Sequence, residues 1–338
     1  MSLKLRLFLL LCSIPVLSGC AQKEAIKING ISFVASRNEV AHEHIAPLVN
    51  INANYAAIMP FGFIRDLETP EIIHNTDRQW FGETRMGAKQ YIEMLHKNNI
   101  RVMLKPQIWI WRGEFTGHLT MSSEEDWQKL ENSYTEFIME YARLASETKT
   151  TLFCIGTELE QFVVKRPNYW NKLISEIKLV YKGELTYAAN WDEYKRVPFW
   201  KELDYVGVDA YFPITASKTP SLDEAKIGWN QWKKELQGVS ERENKSILFV
   251  EYGYRSVDFA GKEPWKSDRA MDTVNLQAQT NLTQALFDEI YPEDWFAGGF
   301  IWKWFIDHNK VGGESNAQFT PQNKPVETVI REQFKKVR

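Results

Sequence analysis

The chain is 338 residues long, 44% hydrophobic and 25% charged, with a formal net charge of −3. That balance carries no basic stripe and excludes a nucleic-acid partner, and the six histidines lack the spacing of a metal site. Past the N-terminus no apolar run reaches the ~18 residues of a membrane span.

Lys4 and Arg6 precede an apolar run over 7–11 that continues through 14–17, the charge-then-apolar order of an export signal covering residues 1–19. Leu17-Ser18-Gly19-Cys20 resembles the lipidation box of bacterial lipoproteins. It implies that Cys20 is acylated, becomes the mature N-terminus and holds the protein at a membrane, with residues 20–26 as the lipidated cysteine and tether. The implied location is the bacterial cell envelope; Ala21 fits the outer membrane or cell surface better than the inner membrane. Cys12 leaves with the signal and Cys154 is then alone, so no disulfide is expected.

Residues 27–338 read as one domain, because no repeat or Pro/Gly/Ser linker divides them. In chain order, β-rich runs at 30–34, 55–61 and 101–107 precede a helix over 122–149, which opens on a Ser122–Glu125 capping box. A strand at 151–156 leads to a helix over 169–182 that stops at Gly183. Strands at 185–189, 205–210 and 247–251 follow, then a helix over 273–291 halted by Pro292, a strand at 299–304 and a closing helix over 325–336. Eight strands alternating with helices give the α/β class, here a single (β/α)8 TIM barrel. Two long βα loops, 109–121 and 254–271, extend its C-terminal rim, where such barrels build their sites. The chain also has 13 Trp, 13 Tyr and 19 Phe. Such rings pack cores, and they also form platforms for the apolar faces of sugars.

Two of the strands end on glutamates. Glu158 closes the fourth and Glu251 the seventh, so both point into the barrel mouth. One protonated and one ionised carboxyl about 5–5.5 Å apart is the equipment of a retaining glycosidase. Glu158 is favoured over Glu160, Gln161 and Glu114 as the acid because it follows the β-run directly, leaving Glu160 to the loop beyond. Mutual repulsion and burial raise the acid's pKa. Lys105, charged where a barrel interior should be apolar, reads as a hydroxyl-binding lysine, with a structural ion pair as the alternative. Asn190 and Trp191 after strand five, and Trp109 and Trp111 in the first long loop, are sugar-contact candidates. Arg65 is placed to steady a catalytic carboxylate or to form a rim salt bridge. Trp302 and Trp304 share parity on strand eight, so one or both could floor the reacting sugar's subsite, with core packing the other reading.

The chain resembles glycoside hydrolase family 113. The resemblance is carried by Phe249-Val250-Glu251-Tyr252-Gly253-Tyr254-Arg255-Ser256, by Leu104-Lys105-Pro106 with Trp111-Arg112-Gly113, by Val197-Pro198-Phe199-Trp200 to Asp209-Ala210-Tyr211-Phe212-Pro213, and by Trp302-Lys303-Trp304. It implies a retaining enzyme of the (β/α)8 glycosidase clan acting on β-1,4-mannan or mannooligosaccharides, with Glu158 as acid/base, Glu251 as nucleophile and no cofactor. Tyr211 is implied to donate its phenol to Glu251. The clan's acid/base usually follows Asn, where this chain has Thr157 with one hydroxyl to offer a sugar. The family usually has His after the Lys-Pro pair, where this chain has Gln107, so the negative subsites are the point of departure. The same mechanism on glucan or xylan, or a surface lipoprotein that binds glycans without turnover, are the competing expectations. A monomer is expected.

Overall fold

The computed structural model describes residues 26–267 and 273–336. The export signal, Cys20, most of the tether and the end of the second long loop lie outside the described residues. Eight parallel strands close into a barrel: β1 (Ile28–Phe33), β2 (Tyr55–Ile58), β4 (Arg101–Leu104), β6 (Leu152–Thr157), β7 (Glu184–Asn190), β8 (Tyr205–Asp209), β9 (Ser246–Tyr252) and β10 (Phe296–Trp304). Each pairs with the next in that order, and β10 returns to β1.

Alternation along each strand sorts side chains into two cores. Met103, Cys154, Leu248, Val250 and Phe300 are among those filling the barrel, while Leu104, Ile155, Val208, Phe249 and Ile301 pack outward beneath the helices. Both faces are covered, which suits the β-branched and aromatic runs of a parallel sheet.

The runs expected at 55–61 and 101–107 are each divided by a proline. Pro60 separates β2 from β3 (Phe61–Ile64), and Pro106 separates β4 from β5 (Gln107–Ile110). A proline has no N–H for the ladder. The chains stay parallel across the break, with Lys105 N donating to Ile58 O at 2.8 Å and Gln107 N to Pro60 O at 2.9 Å. Beyond it β3 and β5 form a separate two-stranded ribbon, Phe61 opposite Gln107 and Phe63 opposite Trp109.

The helices among the described residues are α1 (His42–Asn50), α2 (Arg85–Lys97), α3 (Glu124–Glu147), α4 (Glu160–Lys165), α5 (Pro167–Val180), α6 (Leu222–Glu243), α7 (Leu276–Glu289) and α8 (Pro325–Lys336). None is long and apolar enough to cross a membrane. The cap of α3 is Ser123, whose hydroxyl accepts from Asp126 N, one residue later than the Ser122 box expected. Gly183 does not stop α5, whose cap residue, Tyr181, is already extended. Trp170, fully buried on α5, stacks on Phe199 with ring centres 5.5 Å apart and fixes that helix against the barrel wall.

Candidate active site

The ends of β4, β6, β8 and β9 supply the charged groups of the mouth. On β8, Tyr205, Gly207 and Asp209 alternate inward from the outward Val206 and Val208. On β9 the alternation is broken. Val208 faces Phe249 but Asp209 faces Glu251, so β9 carries one extra residue there. This bulge turns Glu251 onto the same inner side as Val250.

Glu251 is 7% exposed and hydrogen-bonded on both carboxyl oxygens. Tyr211 OH donates to Oε2 at 2.8 Å. Gln107 Nε2 donates to Oε1 at 3.1 Å, and the Lys105 ammonium bonds the same oxygen. Lys105 is fully buried, and its Nζ lies 3.7 Å from Asp209 Oδ1. Burial works against its charge, but Asp209 and Glu251 outweigh that and hold the ammonium above its ordinary range. The lysine is therefore an ion-pair partner of the site carboxylates, the alternative reading of a charge at that position. Burial alone would have forbidden an unpaired lysine there.

Asp209 is also fully buried, and neither of its carboxyl oxygens accepts a hydrogen bond among the described residues.

Glu158 follows β6 with φ at 50°, a left-handed conformation that side chains other than glycine rarely take. Three bonds hold it there. Its N–H donates to Ala188 O at 2.8 Å, its carbonyl accepts from Thr116 Oγ1 at 3.0 Å, and the following Leu159 N–H donates to Tyr187 OH at 2.6 Å. Tyr187 in turn donates to Glu193 Oε1 at 2.8 Å. The Glu158 pKa is pushed up to about 8, by burial first and by the charge of Glu251 second. Burial also raises Glu193, to about 7.

The other expected contacts divide. Trp302 is half-buried with its ring 6.0 Å from Lys105 Nζ, which sets it at the mouth. Trp304 is fully buried in the outer core, so it packs and does not floor a subsite. The alternation expected on β10 fails beyond Gly299, where its pairing with β9 shifts register. Asn190 accepts from Trp191 N at 2.9 Å through its own side chain. Trp191 stacks on Trp265 of the second long loop, ring centres 5.0 Å apart and 16° between planes. Trp109 is half-exposed on β5, on the side opposite the buried Ile108 and Ile110 and hence on that of Gln107. Trp111 is exposed on the following turn. Arg65 is exposed beyond β3 and makes no ion pair among the described residues; its charge acts on neighbouring Asp66. The Thr157 hydroxyl is sealed from solvent and offers nothing to a ligand in the cleft. Glu160 opens α4 and pairs with Arg196, whose Nε lies 2.7 Å away.

Gln107 was noted from sequence only as the residue after the Lys-Pro pair, and the places of Asp209, Tyr187 and Glu193 in the site were not singled out. Inward parity on β8 was the available signal for Asp209. Nothing local marks Glu193 as the partner of a tyrosine six residues earlier.

A structure of a family 113 β-mannanase from Alicyclobacillus acidocaldarius superposes with a TM-score of 0.80 at 22% identity, over 92% of this chain and 98% of that one. A second structure, of a family 113 β-1,4-mannanase, gives 0.80 at 21%, over 91% and 99%. A β-glucuronidase from Faecalibacterium prausnitzii gives 0.61 at 16%, over 93% of this chain and 49% of that one. These likenesses show the fold. No curated protein sequence matches significantly. The sequence model of Glycoside Hydrolase Family 113 matches residues 34–324, a span that takes in β2 through β10 and both mouth glutamates. By that match the chain belongs to glycoside hydrolase family 113 and is a glycosidase.

Proposed function

We propose that this glycosidase cleaves β-1,4-linked mannan or mannooligosaccharides by double displacement with retention. The observation that carries the reading is the contrast between two carboxyls at one mouth. Glu158 is raised to about 8 and so stays protonated at neutral pH, whereas Glu251 accepts hydrogen bonds on both oxygens from Lys105, Gln107 and Tyr211, as an ionised carboxylate does. Glu158 gives its proton to the departing glycosidic oxygen as Glu251 attacks carbon one. Glu158, now ionised, takes a proton from water, which attacks carbon one and releases Glu251. The mannan assignment follows from the two family 113 mannanases of matching fold.

The test is the anomer first formed from mannooligosaccharides, read by NMR, together with azide rescue. Initial β-product is expected, as are α-mannosyl azide from Glu251→Ala and β-mannosyl azide from Glu158→Ala. Initial α-product, or full activity in Glu251→Ala, would refute the assignment. We also propose that the enzyme is a monomer held at the cell envelope by a lipid on Cys20. Cys20→Ala should then move it from the detergent phase to the aqueous phase, and light scattering should give one chain per particle.

A further inference from the structure

Resting on the double-displacement reading, we infer that Gln107 is the residue that reads the hydroxyl on carbon two of the sugar attacked by Glu251. Three groups bond the Glu251 carboxylate, and they differ in what they have left to give. Lys105 is fully buried between Glu251 and Asp209. Tyr211 spends its single proton on Oε2. Gln107 spends one N–H on Oε1 at 3.1 Å. Its amide retains a second N–H and a carbonyl oxygen, and that oxygen has no protein partner among the described residues yet is not sealed from solvent.

A carboxylate attacking carbon one lies beside carbon two, so a polar group bonded to that carboxylate is next to the nearest sugar hydroxyl. Gln107 can serve the carboxylate with one N–H and the hydroxyl with its second N–H or its carbonyl oxygen. The neighbouring candidate is excluded, because the Thr157 hydroxyl is closed off from the cleft. The backbone fixes the amide well: Gln107 N donates to Pro60 O at 2.9 Å directly after the Pro106 break. Its side chain faces the mouth because Ile108 and Ile110 face the outer core.

The experiment compares kcat/KM on aryl β-mannoside, aryl β-glucoside and the aryl 2-deoxy glycoside, for the parent, Gln107→Ala and the volume-matched Gln107→Leu. Loss of a hydrogen bond made in the transition state predicts a drop of roughly 10- to 100-fold on the hydroxylated sugar. On the 2-deoxy sugar only the lost N–H to Glu251 counts, so the drop there should be smaller than that on the hydroxylated sugar by about 10-fold or more. An equal drop on both sugars in both variants overturns the inference, since a merely structural glutamine would act that way. A parent that cleaves the glucoside and not the mannoside refutes the mannan reading, and the Gln107 inference is then judged on the glucoside and 2-deoxy pair. A parent that cleaves none of the three and leaves mannooligosaccharides intact as well overturns both.

Discussion

Glu158 sets the upper pH limit of the reaction, because only its protonated form can donate to the leaving oxygen. With its pKa near 8, kcat/KM should fall as pH rises through that value. An unperturbed glutamate would already have lost its proton by about pH 5. The cause can be separated from the effect in the inactive Glu251→Gln variant. The charge of Glu251 is the second contribution to the shift, after burial, so a carbon-13 NMR titration of Glu158 in that variant should give a pKa below the parental one. An unchanged pKa would mean that burial acts alone. Tyr211 is the other residue-scale lever. Tyr211→Phe removes the sole donor to Oε2 among the described residues, and the loss of a bond to a charged acceptor is expected to lower kcat/KM by roughly 10- to 100-fold. Circular dichroism should remain that of the parent, and an undiminished rate would dismiss the bond as incidental.

At the scale of elements, helix α6 offers opposed tests of local propensity against packing. Gly228 and Gly238 both lie inside it. Alanine normally stabilises an exposed helix interior by about 1 kcal/mol over glycine. Gly238 has nothing within 4 Å of where a Cβ would stand, so Gly238→Ala should raise the denaturant midpoint accordingly. A Cβ on Gly228 would overlap the carbonyl oxygen of Ile214, a backbone atom that cannot swing aside, so Gly228→Ala should lower the midpoint despite the same gain in propensity. If both variants moved in the same direction, the close approach of α6 to Ile214 would be wrong.

The same helix shows what was hard to read from the chain. Its glycines and many charged residues dilute the apolar stripe, as Pro47 does in the nine-residue α1, whereas α3 presents ten buried side chains over 24 residues and was legible at once. The barrel strands were legible because burial on both faces makes them continuous apolar runs. Glu158 and Glu251 were legible as the charges that end such runs. The β9 bulge, the register shift in β10 that leaves Trp304 in the outer core, and the pairing of Lys105 with Asp209 and Glu251 were not, because each depends on the neighbouring strand's position and not on local sequence.

The barrel as a whole is arranged for chemistry at some expense in stability, and that expense depends on pH. Glu158 is raised to about 8 and Glu193 to about 7, while an unfolded chain has both near 4.3. Between those values the folded state binds more protons than the unfolded state, so unfolding free energy must fall as pH rises. Lys324 acts in the opposite sense. Burial lowers its pKa to about 7, so the folded state binds fewer protons than the unfolded one from there up to the ordinary lysine range, and its contribution rises with pH over that window. From about pH 5 to about pH 7 the half-buried histidines His74 and His96, lowered from their ordinary range, also act in that opposite sense, so the carboxyl contribution is read by comparing a variant with the parent at each pH. Glu158→Gln keeps the shape of the side chain and removes its titration. The excess of its Tm over the parent's should be smallest near pH 5, grow by roughly 4 °C by pH 7, and grow further by pH 8. A Tm for Glu158→Gln that tracked the parent's at every pH would show that no stability is spent on keeping this carboxyl protonated.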